Sequence, residues 1–534
     1  MTRRRPHVAR ALGVIGTAAA VATALAVPAT AESNNNISRK LRQAVTAQGV
    51  AQHLSAFDAI AAANGGTRAS GTPGYTASRD YVVDQLRAAG YSPTVQEFSF
   101  PFYRELSPAQ LSQVSPDATA YSSPLDFSSM TYSGSGDVTA TVVAVDTTLT
   151  PSLTNTSGCE AADFAGFPAG SIALMQRGTC AFGIKAANAQ AAGAVGAIIF
   201  NNGTDGRTAS FAGTLGAPLV TIPVVGTSFA AGVDLGTPTG TVARMFTNTE
   251  SAIRQTWNVF AETATGNPDN VVMTGAHLDS VIAGAGVNDN GSGSAAILEV
   301  ARQMKKAKPV NKVRFAWWGA EELGLLGSRH YVADLVANQP DEFAKIALYL
   351  NFDMVGSPNY VRFVYDGDNS AFPVGPGAAA GPEGSGAIEA AFHSYFAGQN
   401  LASAETAFSG RSDYGPFIEQ GVPAGGLFTG AEGVKTAAEA AIFGGTAGVA
   451  YDVCYHQACD TLANVNMQAI DENSDAIAHL VLTYGFDTRS VNGTGTGHPV
   501  SPPGQEVPGS PSGSTSTTGG GLHDDHEHDV REAS

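Results

Sequence analysis

Charge is scarce in this chain. Only 14% of its 534 residues are Asp, Glu, Lys or Arg, and basic residues are the scarcer kind, 29 against 47 acidic. The formal charge of -18 argues against nucleic acid and against an anionic membrane surface as partners. Cysteine is scarcer still, with four residues, Cys159, Cys180, Cys454 and Cys459. An even count fits an oxidising compartment, and proximity favours pairing Cys159 with Cys180 and Cys454 with Cys459. Long apolar runs are missing beyond the first 31 residues. Nothing there approaches the ~20 continuous apolar residues of a membrane-spanning helix.

What is present is a large apolar fraction, 43%, in a length that suggests two or three domains. Residues 1–31 have a basic start (Arg3, Arg4, Arg5, Arg10), an apolar stretch and Ala29-Thr30-Ala31 before Glu32. This is the pattern of a cleaved secretory signal, so a secreted, extracellular protein is expected, as a monomer. From 491 to 534 the chain is rich in Pro, Gly and Ser and reads as a disordered tail. Its HDDHEHD (523–529) could hold metal but lacks anything to fix geometry, and a solvated tail is the favoured reading.

Between these ends the patterning is α/β. Residues 38–90 are helical in pattern, 94–100 (TVQEFSF) alternates like a strand, and GTRASGTPGY (66–75) is turn chemistry. From about Ser107 to Thr247 the character changes to small and β-branched residues, with strands expected at 142–146, 171–180, 194–202 and 219–226 and a helix at 181–193. Arg177 to Cys180, Phe182, Gly193 to Ala197 and Ile222 to Val224 carry a resemblance to a protease-associated (PA) domain over 118–240. The resemblance implies an inserted α+β unit that shapes access or binds partners and takes no part in catalysis. Beyond it, strands at 270–277, 312–319, 346–356, 360–366 and 424–430 alternate with helices, which predicts a mixed, mostly parallel central sheet flanked by helices.

Polar residues collect just past the ends of these strands, where open α/β sheets place their ligands. GAHLDS holds His277 and Asp279, NDNGSG holds Asp289, WWGAEELG holds Glu321 and Glu322, NFDMVG holds Asp353, and CYHQACDT holds Tyr455 and His456. Two histidines and several carboxylates without thiolate fit catalytic rather than structural zinc. Five ligands, one able to bridge, suit two metals ~3.5 to 4 Å apart that clamp a nucleophile and polarise a carbonyl. Read as an extended segment, Glu321 and Glu322 would point to opposite sides, freeing one for proton transfer.

These motifs, with GRSDYGPF, resemble the M28 family of co-catalytic zinc aminopeptidases over about 48–104 and 250–486. The resemblance implies a zinc exopeptidase fold whose catalytic domain spans 32–117 and 241–490, two Zn²⁺ per chain, and peptide or protein N-termini as substrate. Asp289 would bridge the metals, with His456 and Glu322 on one and His277 and Asp353 on the other. Glu321 would be the general base, Tyr455 the oxyanion donor, and Asp279 the group that orients His277. The main-chain carbonyl of Arg411 would help hold the α-amine. Met354, Gly410 and Phe428 would line an apolar pocket for Leu, Met or Phe. A Cys454–Cys459 bridge would stiffen the loop of Tyr455 and His456. Ca²⁺ at Asp471 and Asp475 is a weaker implication, since the stretch at Ala44 and Val45 lacks the expected aspartate. The alternatives are a PA-containing binding protein on an inactive peptidase fold, and carboxypeptidase or glutaminyl cyclase-like activity.

Overall fold

A computed structural model describes residues 38–493 and 495–498. The signal-like start, nearly all of the Pro/Gly/Ser-rich tail and its HDDHEHD tract lie outside the described residues. Among the described residues no helix is long and apolar enough to cross a membrane.

Helices α1 (Ala47–Ala63) and α2 (Pro73–Ala88) each begin on a threonine whose hydroxyl accepts a backbone N–H, Thr46 from Gly49 and Thr72 from Tyr75. Each cap satisfies a donor that the first helical turn leaves open. Strand β1 (Thr94–Ser115) follows. Then come β2 (Thr119–Tyr121), β3 (Phe127–Ser129), β4 (Gly136–Ala144), β5 (Ile172–Gln176), α3 (Phe182–Ala191), β6 (Gly196–Phe200), β7 (Val224–Thr227), α4 (Phe229–Gly236) and β8 (Val242–Glu262). Short helices apart, the chain continues with β9 (Asn267–His277), α5 (Gly291–Met304), β10 (Asn311–Trp318), α6 (Leu326–Asn338), β11 (Ile346–Phe352), β12 (Phe363–Tyr365), α7 (Ser385–Gly398), β13 (Ala404–Thr406), β14 (Ala424–Phe428) and α8 (Met467–Phe486).

The strands run β13-β12-β14-β11-β9-β10-β8-β4-β5-β6-β7-β3, with β1 and β2 attached beside β8. In the first half, β14, β11, β9 and β10 are mutually parallel. Both faces are covered, so these strands read as unbroken apolar runs rather than alternating ones. Adjacent Trp317 and Trp318 on β10 show why: both are fully buried, one in the core under α5 and α8, the other in the core under α6. In the second half, β4 to β7 form a smaller parallel sheet between two further apolar clusters.

β8 belongs to both halves. Its C-terminal residues pair with β10, its N-terminal residues with β4, and β1 runs antiparallel along it from Thr94↔Phe260 to Ser115↔Val242. The strand expected over 94–100 is thus the opening of a 22-residue strand. Pro101 and Pro108 interrupt its sequence pattern, yet only its far end, 111–113, has a partner on the other side, so the missing N–H groups break no ladder there. The strand expected at 360–366 shortens to β12, and that at 219–226 to β7. Helix α7 lies in a Gly/Ala-rich stretch where small residues blur the 3.6-residue period.

Candidate metal centre

The C-terminal ends of β9, β10 and β11 converge with the loop 454–459. His277 is the last residue of β9, Asp353 follows β11 directly, and Glu321 and Glu322 sit in a 3-10 turn just past β10. That turn, not an extended segment, separates the two glutamates. Asp289 precedes α5, whose N-cap is Asn290.

His277 Nε2 lies 3.2 Å from Asp353 Oδ1 and 3.3 Å from Asp289 Oδ1. His456 Nε2 lies 3.2 Å from Asp289 Oδ2 and 3.0 Å from Glu322 Oε2. The two oxygens of one carboxylate therefore face two different histidines, and five expected ligands fall into two sets of three that share Asp289. Glu321 Oε2 is 3.9 Å from His277 Nε2, outside hydrogen-bond range. A donor set of this kind, buried and rich in carboxylate, fits two divalent cations. Glu322 Oε1 supports the fit, being buried with no hydrogen-bond partner.

The electrostatics describe the same need for positive charge. Burial, helped by Asp289 and opposed by His456, pushes the Glu322 carboxyl up to about 7. Burial also holds Glu321 well above the ordinary carboxylate range, with His277 opposing and Asp413, Asp353 and Glu322 reinforcing. Asp289 goes the other way, since hydrogen bonds from His277 and His456 overcome its burial. Burial lowers His456, but Asp289 and Glu322 outweigh it and raise the imidazole to about 10. A metal must displace such protons to bind.

Support comes from neighbours that hold the ligands in place. His277 Nδ1 is 3.1 Å from the main-chain carbonyl of Asp279, whereas the Asp279 carboxylate is 3.7 Å away. The carbonyl thus orients the ring, and the Asp279 side chain instead accepts the Glu321 N–H. Ser412 Oγ donates to Asp353 Oδ2 at 2.6 Å, and Asp460 accepts the N–H groups of Asn288 and Asp289. Ala320, Leu325, Met354 and His456 all adopt left-handed φ, 56°, 60°, 50° and 57°. Non-glycine residues in this region are sparse, and their clustering beside ligands marks a site held in a demanding shape.

Arg68 was not anticipated from sequence. Fully buried, it donates to the carbonyls of Leu278, Ala285 and Gly286 and so clamps the loop between His277 and Asp289. Its segment reads as turn residues, and nothing in GTRASG separates a buried arginine from an exposed one. Asp460, Ser412 and fully buried Asp413 were missed for the same reason.

A cavity of about 320 Å³ opens over the cluster. Met354, Phe428, Tyr365, Phe372 and Tyr451 give it apolar wall, with Arg411 and Tyr455 at one side. Gly410 is not part of that wall, which its neighbours Ser409 and Arg411 line instead. Arg411 Nη2 donates to the Tyr455 hydroxyl at 3.0 Å, and the Tyr455 ring stacks on His456 with centroids 3.8 Å apart. The disulfide Cys454–Cys459, Cα atoms 5.3 Å apart, closes this loop, and Cys159–Cys180, at 5.9 Å, closes one in the other half. Asp475 lies 3.5 Å from Arg42, which already supplies a cation beside the carboxylate considered for calcium.

The sequence profile of peptidase family M28 matches residues 258–481, and that of the PA domain matches 138–235. An aminopeptidase of Pseudomonas aeruginosa is 50% identical over 454 residues, 85% of this chain and 83% of that protein. The chain belongs to peptidase family M28. Within the family, leucine aminopeptidase 2 of Arthroderma otae is 42% identical over 83% of this chain and 85% of its own length. Among solved structures, the aminopeptidase from Aneurinibacillus sp. strain AM-1 superposes with a TM-score of 0.57 at 26% identity, over 83% of this M28 chain and 95% of that one.

Proposed function

We propose that this M28 peptidase is a secreted, zinc-dependent aminopeptidase that releases large apolar residues from peptide N-termini. The observation that carries the reading is Asp289, whose two oxygens face two histidines in two three-donor sets. His277 and Asp353 would hold one zinc ion, His456 and Glu322 the other, and Asp289 both. When bound, such a pair supplies Lewis-acid polarisation and a more acidic water.

The remaining work falls to the chain's own side chains. Glu321 lies beside His277 and Asp353 and takes the proton of the attacking water, then delivers it to the leaving amine. Its burial favours a protonated form, which two dications would oppose, bringing it toward the range a base and acid must share. Tyr455 accepts a hydrogen bond from Arg411, so its own O–H remains available to donate to a developing oxyanion. Glu321, Asp353 and the Arg411 carbonyl offer acceptors to a free α-amine, which explains an exopeptidase preference. Phe428, Met354 and Tyr365 support apolar selectivity, in keeping with a leucine aminopeptidase as relative. Secretion rests on residues 1–31, and the division into 32–117 with 241–490, and 118–240, rests on the motifs.

Purified protein should release leucine from Leu-p-nitroanilide, lose that activity to a chelator and regain it with Zn²⁺. Equal rates on N-acetylated and free-amine substrates would overturn the exopeptidase reading. Equal rates on Leu and Glu substrates would overturn the apolar pocket.

A further inference from the structure

A second convergence of metal-binding groups lies behind the wall of the catalytic cavity. Glu389 and His393 are four residues apart on α7, so both leave one helix face. Glu405 sits in β13, the edge strand of the sheet, paired in register with Val364 of β12. His393 Nε2 is 3.8 Å from Glu389 Oε1 and 4.0 Å from Glu405 Oε1, and one donor atom from each residue lies within 4.8 Å of the others. These gaps are too wide for hydrogen bonds. They are close to the roughly 3.4 Å that separates donors placed ~2.1 Å from one tetrahedral zinc ion.

Each group is also aimed. His393 Nδ1 is hydrogen-bonded to Ser403 Oγ at 2.7 Å, which leaves Nε2 directed at the carboxylates, buried and without a hydrogen-bond partner. Glu389, only 6% exposed, uses Oε2 to accept the N–H groups of Gly367 and Asp368, at 2.8 and 3.3 Å. Oε1 faces the imidazole. Among the described residues no Lys or Arg lies within 4 Å of either carboxylate. Burial raises both acids, Glu389 to about 6, with Asp366 and Asp368 adding to the negative field, while burial, opposed by Asp366, lowers His393. The His393 Nε2 without a hydrogen-bond partner thus faces two carboxyl groups that hydrogen-bond one another and that no Lys or Arg within 4 Å neutralises.

We propose that Glu389, His393 and Glu405 form a further divalent-metal site, of the zinc class, that ties the edge strand β13 to α7. One nitrogen and two carboxylate donors suit zinc better than calcium, which prefers an all-oxygen shell. Ser403 would accept from Nδ1 and fix the tautomer, as partners of metal-bound histidines do. Glu405 and Thr406 are neighbours in β13, and Thr406 lines the catalytic cavity. The ion would therefore brace that wall from outside without touching substrate.

The test uses full-length protein stripped with a chelator, reloaded with Zn²⁺, desalted and assayed for metal by mass spectrometry. Wild type should retain one zinc ion per chain more than either His393→Ala or Glu405→Gln, and both variants should keep Leu-p-nitroanilide turnover within about twofold. Equal zinc content in all three proteins overturns the site, leaving two acids that share a proton. Loss in His393→Ala with none in Glu405→Gln overturns it as well, since Glu405→Gln changes charge and hardly shape.

Discussion

The two halves of the molecule are built alike and equipped differently. Each has parallel strands buried between two apolar clusters, and they share β8. In one half the strand ends carry His277, Glu321, Glu322 and Asp353. In the other, β5 and β6 run into Arg177-Gly178-Thr179-Cys180 and Asn201-Asn202. The groups of three metal-binding side chains found among the described residues, around His277 and around Glu389, all fall in the first half. Topology offers the place for a site at a strand end, and side chains alone decide whether one exists.

That contrast can be broken most sharply at Asp289. Asp289→Asn should cost both metal ions, with turnover falling beyond the ~10² to 10⁴ of a lost general base. Two retained zinc ions with normal turnover would remove Asp289 from the shared role. Glu321→Gln should come next, keeping the zinc but losing ~10² to 10⁴ in kcat. Unchanged kcat would reassign the base.

The disulfides sharpen the comparison through smaller effects. Replacing Cys159 and Cys180 by serine opens a loop of sequence separation 21 and should cost the PA half about 3 kcal/mol while leaving kcat unchanged. Replacing Cys454 and Cys459, separation 5, should cost less stability, about 2 kcal/mol, but bring a clear fall in kcat. A melting curve and one kinetic assay per variant decide between them, and equal behaviour would contradict the division of labour.

A further contrast lies in pH. Burial, aided by Arg42, pulls His479 on α8 down to about 3. The unfolded chain gains that proton first, so the contribution is whole above ~6.5 and is lost as pH falls from there toward 3. In the PA half, burial lowers Lys185 to about 8, and its stabilisation is whole above ~10.5 and lost as pH falls toward 8. Melting should therefore show His479 acting in an acid window and Lys185 in an alkaline one. His479→Leu should weaken the acid response and leave the alkaline one, and an unchanged acid response would refute the assignment.

Much of the centre was legible because ligands must follow buried strands, and runs such as VVM, FAWW and IALYL announce those strands. His277, Asp289, Glu322, Asp353 and His456 come together as the motifs imply. Residues acting through shape were not legible. Arg68, Ser412 and Asp460 make ordinary polar contacts whose value depends on loops meeting across long stretches of sequence. Gly410 fell outside the wall for a related reason, as the chain turns there and presents its neighbours. The length of β1 was hidden by prolines that matter only in a doubly paired strand.

The ribbon of β1 and β8 has a practical corollary. Arg104 and Glu250 face one another in register, and their side chains are already joined by a 2.7 Å ion pair. Everything between them leaves and returns through adjacent backbone positions. A two-residue turn such as Asn-Gly could join the strands there and excise the PA half as a single cassette. The same seam would accept an unrelated module, whose ends need only meet as neighbouring antiparallel strands.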